Sequence, residues 1–365
     1  MQAVKTEQAS AVDPLFRPLR LGAIELANRI VMAPMTRNRA DADGVPNDLM
    51  VEHYAARAGA GLIVAEGTWP SVTGQAYCRQ PGIETPAQVV AWRRVTDAVH
   101  ARGGRIILQI MHAGRIGSDR IKPAGVETVA PSAIQASGEV FTDAAGLQPF
   151  DMPRALTTEE VEAVVEEHRQ AALNAREAGF DGVELHCTSG YLPMQFLCSG
   201  TNRRDDQYGG SLENRLRFAT ECLQVMSDAI GADRVGFRIN PGNTFNDTRD
   251  EDSAASHAAL LQRGAQIGVA FVHIMRAPIE QIDAFALARE HFNGQLILND
   301  SFDAVSAAEA LRDGQGEAVS FARHFIANPD LVSRIRKGQA LSRMDRKTIY
   351  TPGPQGYTDY PAAAE

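Results

Sequence analysis

The side chains best suited to chemistry in this 365-residue chain follow short apolar runs of the sequence. They offer one hydroxyl, one amide, one imidazole and two guanidiniums, on Thr36, Gln109, His186, Arg238 and Arg323. No cluster of carboxylates with the spacing of a metal site accompanies them. The set therefore suits hydrogen bonding to a planar heteroaromatic ring and to a phosphate, rather than Lewis-acid catalysis.

Three of the candidate residues differ in how strongly the sequence points to a role. Arg238 lies within the apolar run VGFRI, and an arginine in a buried strand needs an anionic or strongly accepting partner. Taken alone, His186 is typical of a hydrogen-bonded histidine in a protein core, and Tyr191 is typical of a packing residue. A phenol beside a glycine-containing turn and near an imidazole is also suited to donate a proton. Both interpretations stay open at this level.

The elements that must position these residues are eight short runs rich in Val, Ile, Leu and Phe. They are RIVMAP (29–34), GLIVAE (61–66), RIILQI (105–110), GVELHC (182–187), VGFRI (235–239), VAFVHI (269–274), LILND (296–300) and AVSFAR (318–323). Such runs are typical of strands buried on both faces of a parallel sheet. Because helix-like stretches separate them, we predict an α/β fold, a single (β/α)8 TIM barrel with its reactive groups at the C-terminal strand ends. A doubly wound sheet is the alternative, but it would need a GxGxxG turn after an early strand, and none is present.

Two stretches stand out between the predicted strands. The clearest helix is TTEEVEAVVEEHRQAALNAREAGF, with Thr157 and Thr158 as candidate caps and Gly179 as its stop. Residues 112–157 are rich in Pro and Gly and show no long apolar period. So long an excursion is usually functional, and we expect a lid; a surface excursion without a role is the alternative. We expect residues 1–13 to be a flexible N-terminal segment and residues 14–361 to be one barrel domain.

Composition narrows the class of protein. Hydrophobic residues make up 44% and charged residues 22%, which indicates a globular chain rather than a disordered one. Lys and Arg total 36 against 45 Asp and Glu, a net charge of −9 that argues against nucleic-acid binding. No apolar run has the length of a signal peptide core or a membrane span. The four cysteines show no CxxC spacing, so we predict a reduced, cytoplasmic protein that does not associate with membranes.

At these residues the chain resembles the Old Yellow Enzyme family of FMN-dependent ene-reductases, over roughly residues 14–361. The resemblance rests on LFRPLRLGAIELANRIVMAPMTRNRA, LQIMHAGR, GVELHCTSGYLPMQFLCSGTNRRDDQYGGSLENR, FARHFIANPDL and GYTDYP. The Thr of APMTR resembles the branch typified by pentaerythritol tetranitrate, morphinone and N-ethylmaleimide reductases. The resemblance implies an FMN-binding barrel, with NADPH or NADH as co-substrate.

The resemblance also implies roles on the cofactor side. Pro34 and Thr36 would lie along the isoalloxazine, with the Thr36 hydroxyl on the flavin C4 carbonyl side. Gly67 and Gln109 would bond the pyrimidine edge, and Arg238 would sit by N1 and the C2 carbonyl, where it stabilises the anionic reduced flavin. The residues assigned to FMN, including those at the phosphate, are Pro34, Met35, Thr36, Gly67, Gln109, Arg238, Asp300, Ser301, Ala322 and Arg323.

On the substrate side, the resemblance implies that His186 holds the carbonyl oxygen and polarises the conjugated double bond. Tyr191 would protonate the α carbon after hydride from flavin N5 reaches the β carbon. Tyr77, Ser189 and Met111 would complete the substrate pocket. NADPH would reduce the flavin and leave before the substrate enters the same pocket, which gives ping-pong kinetics.

Four positions depart from the family pattern. Ser189 stands where His or Asn usually donates a second hydrogen bond, and losing one such donor costs roughly 2.7–4 kcal/mol of transition-state stabilisation. Met111 replaces a bulky aromatic, which would open the pocket. Asp300 and Ala322 replace glycines; a carboxylate ~4 Å from the phosphate would be repelled by about 4 kcal/mol at an effective dielectric of 20. We expect the Asp300 side chain to point away, or FMN to bind less tightly than in relatives.

These observations predict an FMN oxidoreductase that uses NADPH to reduce the C=C bond of small α,β-unsaturated carbonyl or nitro compounds, as a monomer or homodimer. Reduction of nitrate esters or nitro compounds, or double-bond isomerisation in a biosynthetic pathway, is the first alternative. A cofactor-free barrel lyase or a scaffold that has lost its flavin is the second, and only Asp300 and Ala322 favour it.

Overall fold

Strands and helices alternate along the chain in a computed structural model that describes residues 11–363. The strands are β1 (Leu19–Leu21), β2 (Ile24–Leu26), β3 (Ile30–Met32), β4 (Leu62–Thr68), β5 (Ile106–Ile110), β6 (Val129–Ala130), β7 (Glu139–Thr142), β8 (Gly146–Pro149), β9 (Arg154–Ala155), β10 (Val183–His186), β11 (Val235–Ile239), β12 (Phe271–Met275), β13 (Gln295–Asn299) and β14 (Ala318–Phe321). The α-helices are α1 (Asp48–Ala55), α2 (Pro86–His100), α3 (Thr158–Glu177), α4 (Leu192–Leu197), α5 (Leu212–Ile230), α6 (Ser253–Ile267), α7 (Ala284–His291), α8 (Ala304–Arg312), α9 (Arg323–Ala327) and α10 (Leu331–Lys337). Short 3-10 helices lie at Asp13–Phe16, Val72–Gly74, Asp119–Ile121, Ala232–Arg234, Phe245–Asp247 and Arg346–Thr348.

Eight of the strands close into a parallel barrel. Around it the order is β3, β4, β5, β10, β11, β12, β13 and β14, and the pairing of Val319 with Ile30 joins the last strand to the first. Each of the eight apolar runs of the sequence contributes one of these strands, because both faces of every strand are buried. The (β/α)8 prediction is therefore confirmed, and the doubly wound alternative is wrong.

The barrel interior changes character along its axis. At the N-terminal end, the β1–β2 hairpin closes the barrel, and Leu21 and Ile24 pack there with inward side chains such as Val64 and Phe271. Because alternate residues of a strand point to the same face, the next inward layers on β10 and β12 carry Glu184, His186 and His273. The barrel interior is thus apolar at the N-terminal ends of the strands and polar toward their C-terminal ends, where barrel active sites lie.

The long helix predicted before the fourth barrel strand is α3. The Thr157 hydroxyl accepts a hydrogen bond from the backbone N–H of Glu160, whose carboxylate accepts one from the Thr157 N–H, so the pair forms a capping box. After the helix, Gly179 adopts φ +88°, a conformation that favours glycine. The start and stop predicted from the sequence are confirmed.

The excursion at 112–157 has secondary structure of its own. Strands β7 and β8 form an antiparallel hairpin, while β6 and β9 pair in parallel with each other. The side chains of Phe141 and Leu147 on the hairpin are exposed and line the cavity at the C-terminal end of the barrel. The excursion therefore forms one wall of the barrel mouth.

The chain ends pack onto the barrel where they are described. The predicted flexible segment 1–13 falls largely outside the described residues, but Val12 is buried in the core. Near the C-terminus, Tyr357 is buried with its ring stacked on His53, and the guanidiniums of Arg37 and Arg39 each lie 5.0 Å from its ring centre. Among residues 11–363, none of the helices combines the length and the apolar character that a membrane span requires.

Candidate active site

A cavity of about 840 Å³ opens at the C-terminal ends of the barrel strands. Its walls come from strand ends, from the β7–β8 hairpin and from the segment 346–352. Nine of the residues that the sequence proposed for the site line it together: Pro34, Thr36, Tyr77, Gln109, Met111, His186, Ser189, Tyr191 and Arg238. Barrel closure thus brings into one space residues that lie up to 204 positions apart in the chain (238 − 34).

The other proposed site residues do not line this cavity. Met35 packs against the main core beside its neighbours Pro34 and Thr36. Gly67 is buried, and a Cβ there would lie 2.6 Å from the Met111 sulfur, so a larger residue would require the Met111 side chain to move. The residues assigned to the phosphate, Asp300, Ser301, Ala322 and Arg323, follow the adjacent strands β13 and β14.

The turn after β13 has an unusual backbone. Asp300 and Ser301 adopt φ +83° and +61°, in the left-handed region that favours glycine. The Asp300 carboxylate also acts on Arg238 across the barrel mouth, because its negative charge raises the pKa of that guanidinium against the effect of burial. The charge of Asp300 therefore favours the cationic form of Arg238 in the upper barrel interior.

Arg238 is a buried cation with an incomplete set of hydrogen-bond partners. Its Nη2 donates to Asn299 Oδ1 at 2.7 Å, while its Nε has no partner among the described residues. Burial lowers its pKa, and the charges of Glu184 and Asp300 oppose that effect. A buried N–H without a partner costs folding free energy. A ligand in the cavity that accepts a hydrogen bond from it would remove that cost.

His186 stands beside Arg238 at the end of β10. Burial is the main cause that lowers its pKa well below 6.5, and the positive charge of Arg238 adds to the effect. The ring is therefore neutral at pH 7 and carries one N–H. Its Nδ1 is buried without a partner in the described protein. The interpretation of His186 as a fully hydrogen-bonded core histidine is wrong.

Tyr191 lies close to the imidazole, with the two ring centres 5.1 Å apart. Its hydroxyl is 2.8 Å from the Tyr77 hydroxyl, and either oxygen can be the donor. Burial raises the pKa of Tyr191 well above 10, so the phenol keeps its proton at neutral pH. Tyr191 thus presents a protonated acid, held by a second phenol, next to a neutral imidazole.

The turn between β10 and α4 determines where Tyr191 stands. Ser189 and Gly190 adopt φ +59° and +78°, which reverses the chain directly after the strand. The Gln195 side chain braces the turn, since its Nε2 donates to Gly190 O at 2.7 Å and to Ala113 O at 2.9 Å. Ser189 lines the cavity as expected, and its carbonyl accepts a hydrogen bond from Asn246 Nδ2.

Sequence reasoning missed a polar network inside the barrel. Gln109 Nε2 donates to Glu184 Oε1 at 2.8 Å, and Glu184 Oε2 lies 2.8 Å from His273 Nδ1. His273 Nε2 in turn lies 2.7 Å from the Ser320 hydroxyl. The available signal was a polar residue at an inward position of an otherwise apolar strand, as in GVELHC, VAFVHI and AVSFAR.

Sequence reasoning also missed the contribution of the C-terminal segment. The Arg39 guanidinium donates to the carbonyls of Thr348 at 2.7 Å and Gln355 at 3.0 Å. These bonds hold the segment that carries Arg346 and Tyr350, which line the same cavity as the β7–β8 hairpin. No local pattern in the sequence points to this contact.

The site fits a planar, polar, anionic cofactor better than a metal. Unpartnered nitrogens of Arg238 and His186 stand near the hydroxyl of Thr36 and the amide of Gln109 around one cavity. This donor set matches the carbonyl-rich edge of an isoalloxazine ring. Within residues 11–363, no group of three His, Cys, Asp or Glu side chains is arranged to hold a metal ion.

Comparison with known proteins gives concordant results. The model of the NADH:flavin oxidoreductase / NADH oxidase family matches residues 14–342. A probable flavin mononucleotide-dependent alkene reductase of Leishmania infantum is 42% identical over 361 residues, which is 97% of this chain and 98% of the relative. The 12-oxophytodienoate reductase 1 of Oryza sativa subsp. japonica is 38% identical over 367 residues, 98% of this chain and 95% of the relative.

Solved structures agree with the sequence relatives. Morphinone reductase in complex with tetrahydroNAD superposes with a TM-score of 0.91 at 43% identity, over 96% of this chain and 98% of that one. The Old Yellow Enzyme homologue from Zymomonas mobilis superposes with a TM-score of 0.92 at 38% identity, over 96% of this chain and 99% of that one.

Proposed function

The chain belongs to the NADH:flavin oxidoreductase / NADH oxidase family, within its Old Yellow Enzyme members, and from this premise we propose how its residues carry out the reaction. The protein is an FMN-dependent oxidoreductase that uses NAD(P)H to reduce activated C=C bonds. The resemblance found in the sequence is thereby confirmed. A cofactor-free lyase or flavin-free scaffold is not compatible with this membership.

We propose that the upper barrel interior holds FMN. Thr36, Gln109 and Arg238 would bond the ring system, because their polar groups face one cavity and Arg238 lacks a partner for its Nε. The turns after β13 and β14, which carry Asp300 and Arg323, would hold the phosphate, as loops at this place often do in such barrels. FMN held there would supply the hydride-transfer chemistry that links the nicotinamide to the substrate.

The observation that carries the mechanism is the pairing of His186 with Tyr191 above this interior. The neutral imidazole would donate a hydrogen bond to the substrate's carbonyl or nitro oxygen and draw electron density from the double bond. Tyr191 would then give its proton to the α carbon, because its raised pKa keeps it protonated and the Tyr77 hydroxyl holds it in position. Ser189 lines the same cavity, and its hydroxyl would donate a second hydrogen bond to the substrate oxygen from a shorter side chain.

One cavity serves both half-reactions in this proposal. A volume of about 840 Å³ is within the usual range for a small-molecule site, and it suits a nicotinamide ring or an enone above the flavin in turn. NADPH is the proposed donor, with NADH as the alternative. Small enones and nitro compounds are the proposed substrates of a cytoplasmic monomer or homodimer.

Reduction of nitrate esters or nitro compounds is the second candidate, together with double-bond isomerisation. Met111 favours this second candidate, because its flexible side chain lines the cavity at a position where the family resemblance implies a bulky aromatic residue. Tyr191 favours net reduction over isomerisation, since a proton donor for the α carbon is already in place.

The test is anaerobic spectroscopy of the purified protein. We expect a flavin spectrum that NADPH bleaches and that 2-cyclohexenone restores with formation of the saturated ketone. Glyceryl trinitrate in a parallel sample would restore the spectrum with release of nitrite if the second candidate holds. A protein that stays colourless after incubation with FMN would overturn the proposal.

A further inference from the structure

The polar network inside the barrel centres on Glu184, whose side chain is fully buried. One carboxylate oxygen accepts from Gln109 Nε2 at 2.8 Å, and the other lies 2.8 Å from His273 Nδ1. Glu184 is two residues before His186 on β10, so both side chains point into the barrel. A buried carboxylate is costly to maintain, and the mechanism above gives it no role.

His273 fixes the orientation of Glu184 from β12, two strands away around the barrel. Burial lowers the pKa of His273, with the Glu184 charge opposing that effect, so the ring is neutral. Since a carboxylate can only accept, the single ring proton lies on Nδ1 and is donated to Glu184. The Ser320 hydroxyl, 2.7 Å from Nε2, then donates to the other ring nitrogen. Glu184 is thus held by residues of β5 and β12.

The same rule determines the orientation of the Gln109 side chain. An amide has one donating end and one accepting end, and the carboxylate of Glu184 requires the NH2 end. With its NH2 group on Glu184, Gln109 has its carboxamide oxygen on the other side of the amide, and this side chain lines the cavity. Among the described residues, this oxygen has no hydrogen-bond partner. An acceptor therefore faces a site whose other polar groups are mainly donors.

We propose that Glu184 is a positioning residue that holds the Gln109 carboxamide with its oxygen toward the cofactor. Oxidised isoalloxazine has several acceptors but a single N–H, at N3, between two carbonyls. A Gln109 oxygen held toward the cofactor can accept from the N3–H, while neighbouring donors bond the two carbonyls. A Gln109 carboxamide that is free to rotate would present its oxygen to the N3–H only part of the time. This inference rests on FMN binding in the cavity, as proposed above.

The test compares the affinities of the apoprotein for FMN and for N3-methyl-FMN, which lacks the N–H, by quenching of flavin fluorescence. The wild type is expected to bind FMN about 10- to 100-fold more tightly, as for a buried acceptor left without its donor. In E184Q the new amide can donate to the Gln109 oxygen, so Gln109 can turn and the preference falls below about threefold. E184D, whose carboxylate is about one bond shorter and releases the Gln109 amide, is expected to lose the preference as well.

Two further variants separate positioning from general damage. Q109L should abolish the preference, and adding E184Q to it should change nothing more, because Glu184 acts through Gln109. E66Q is the matched control: Glu66 is another fully buried barrel carboxylate, bonded to Tyr54 Oη and the Arg37 N–H, and its loss should lower stability while the preference survives.

Each outcome has a distinct meaning. Equal binding of the two flavins by the wild type overturns the inference without any variant, as does a preference that persists in E184Q or E184D. Loss of the preference in E66Q as well would show that it reports general disturbance, and would also overturn the inference. A wild-type apoprotein that takes up neither flavin would instead refute the proposed function.

Discussion

Replacing Tyr191 by Phe removes one oxygen atom from the candidate site and tests the assignment of the proton donor. The ring stays in its buried place beside His186, so the fold should lose only the hydrogen bond to Tyr77, about 1 kcal/mol. The rate of substrate reduction should respond much more strongly. Removal of a general acid typically costs about 10²–10⁴-fold.

The Tyr77 phenol determines where the rate decrease in Y191F should fall between about 10²-fold and 10⁴-fold. The Tyr77 hydroxyl is 2.8 Å from the lost oxygen and itself carries a proton, since burial raises its pKa above 10. A proton from Tyr77 must travel farther, yet it remains inside the cavity. We therefore expect a decrease of about 100-fold in Y191F, equivalent to about 3 kcal/mol, and a further decrease toward 10⁴-fold in the Y77F/Y191F double variant.

Stopped-flow spectroscopy separates the two half-reactions. The enzyme is first reduced with one equivalent of NADPH without oxygen and then mixed with 2-cyclohexenone, whose product carbanion is weakly stabilised. Reduction by NADPH, which needs no proton from Tyr191, should stay within about twofold of the wild type, and Y77F alone should slow reoxidation by less than about tenfold. Equal reoxidation rates for Y191F and wild type would refute Tyr191 as the acid.

Three further predictions concern other residues. H186A should weaken binding of phenols, followed by their charge-transfer band with oxidised flavin, by about 10- to 100-fold, the value of a hydrogen bond to a charged group; an unchanged titration would contradict its role. D300N keeps the size of the side chain and should tighten FMN binding by about tenfold at low ionic strength and less at high salt, because a repulsive charge is removed; equal affinities would place the phosphate elsewhere. His168, buried in α3, has its pKa lowered by burial from 6.5 to about 4, so the unfolded chain takes up the proton first as pH falls below 6.5. Between pH 7 and pH 4.5, the free energy of unfolding of H168Q, measured by denaturant titration, should therefore fall by about 2 kcal/mol less than that of the wild type. An equal fall in both proteins would show that His168 does not titrate as described.

The fold was predictable because its signal is local. Runs such as RIILQI and VGFRI must be buried on both faces wherever they lie, and their alternation with helices leaves few arrangements. The ends of these runs also indicated Gln109, His186 and Arg238, since polar side chains there are exceptions to an apolar pattern. The family resemblance added Tyr77, which lies 114 residues before Tyr191 in the chain.

The tertiary structure decided which polar groups face one another. Residues of β5, β10, β12 and β14 meet in the Glu184 network only because the barrel closes in one register. The sequence shows each of them as a polar residue in an apolar run, but not which partner it meets. The mouth depends likewise on contacts from Arg39 to carbonyls more than 300 residues away. Local composition determines which segments must be buried, while hydrogen-bond partners are chosen by distances across the closed barrel, which no single segment contains.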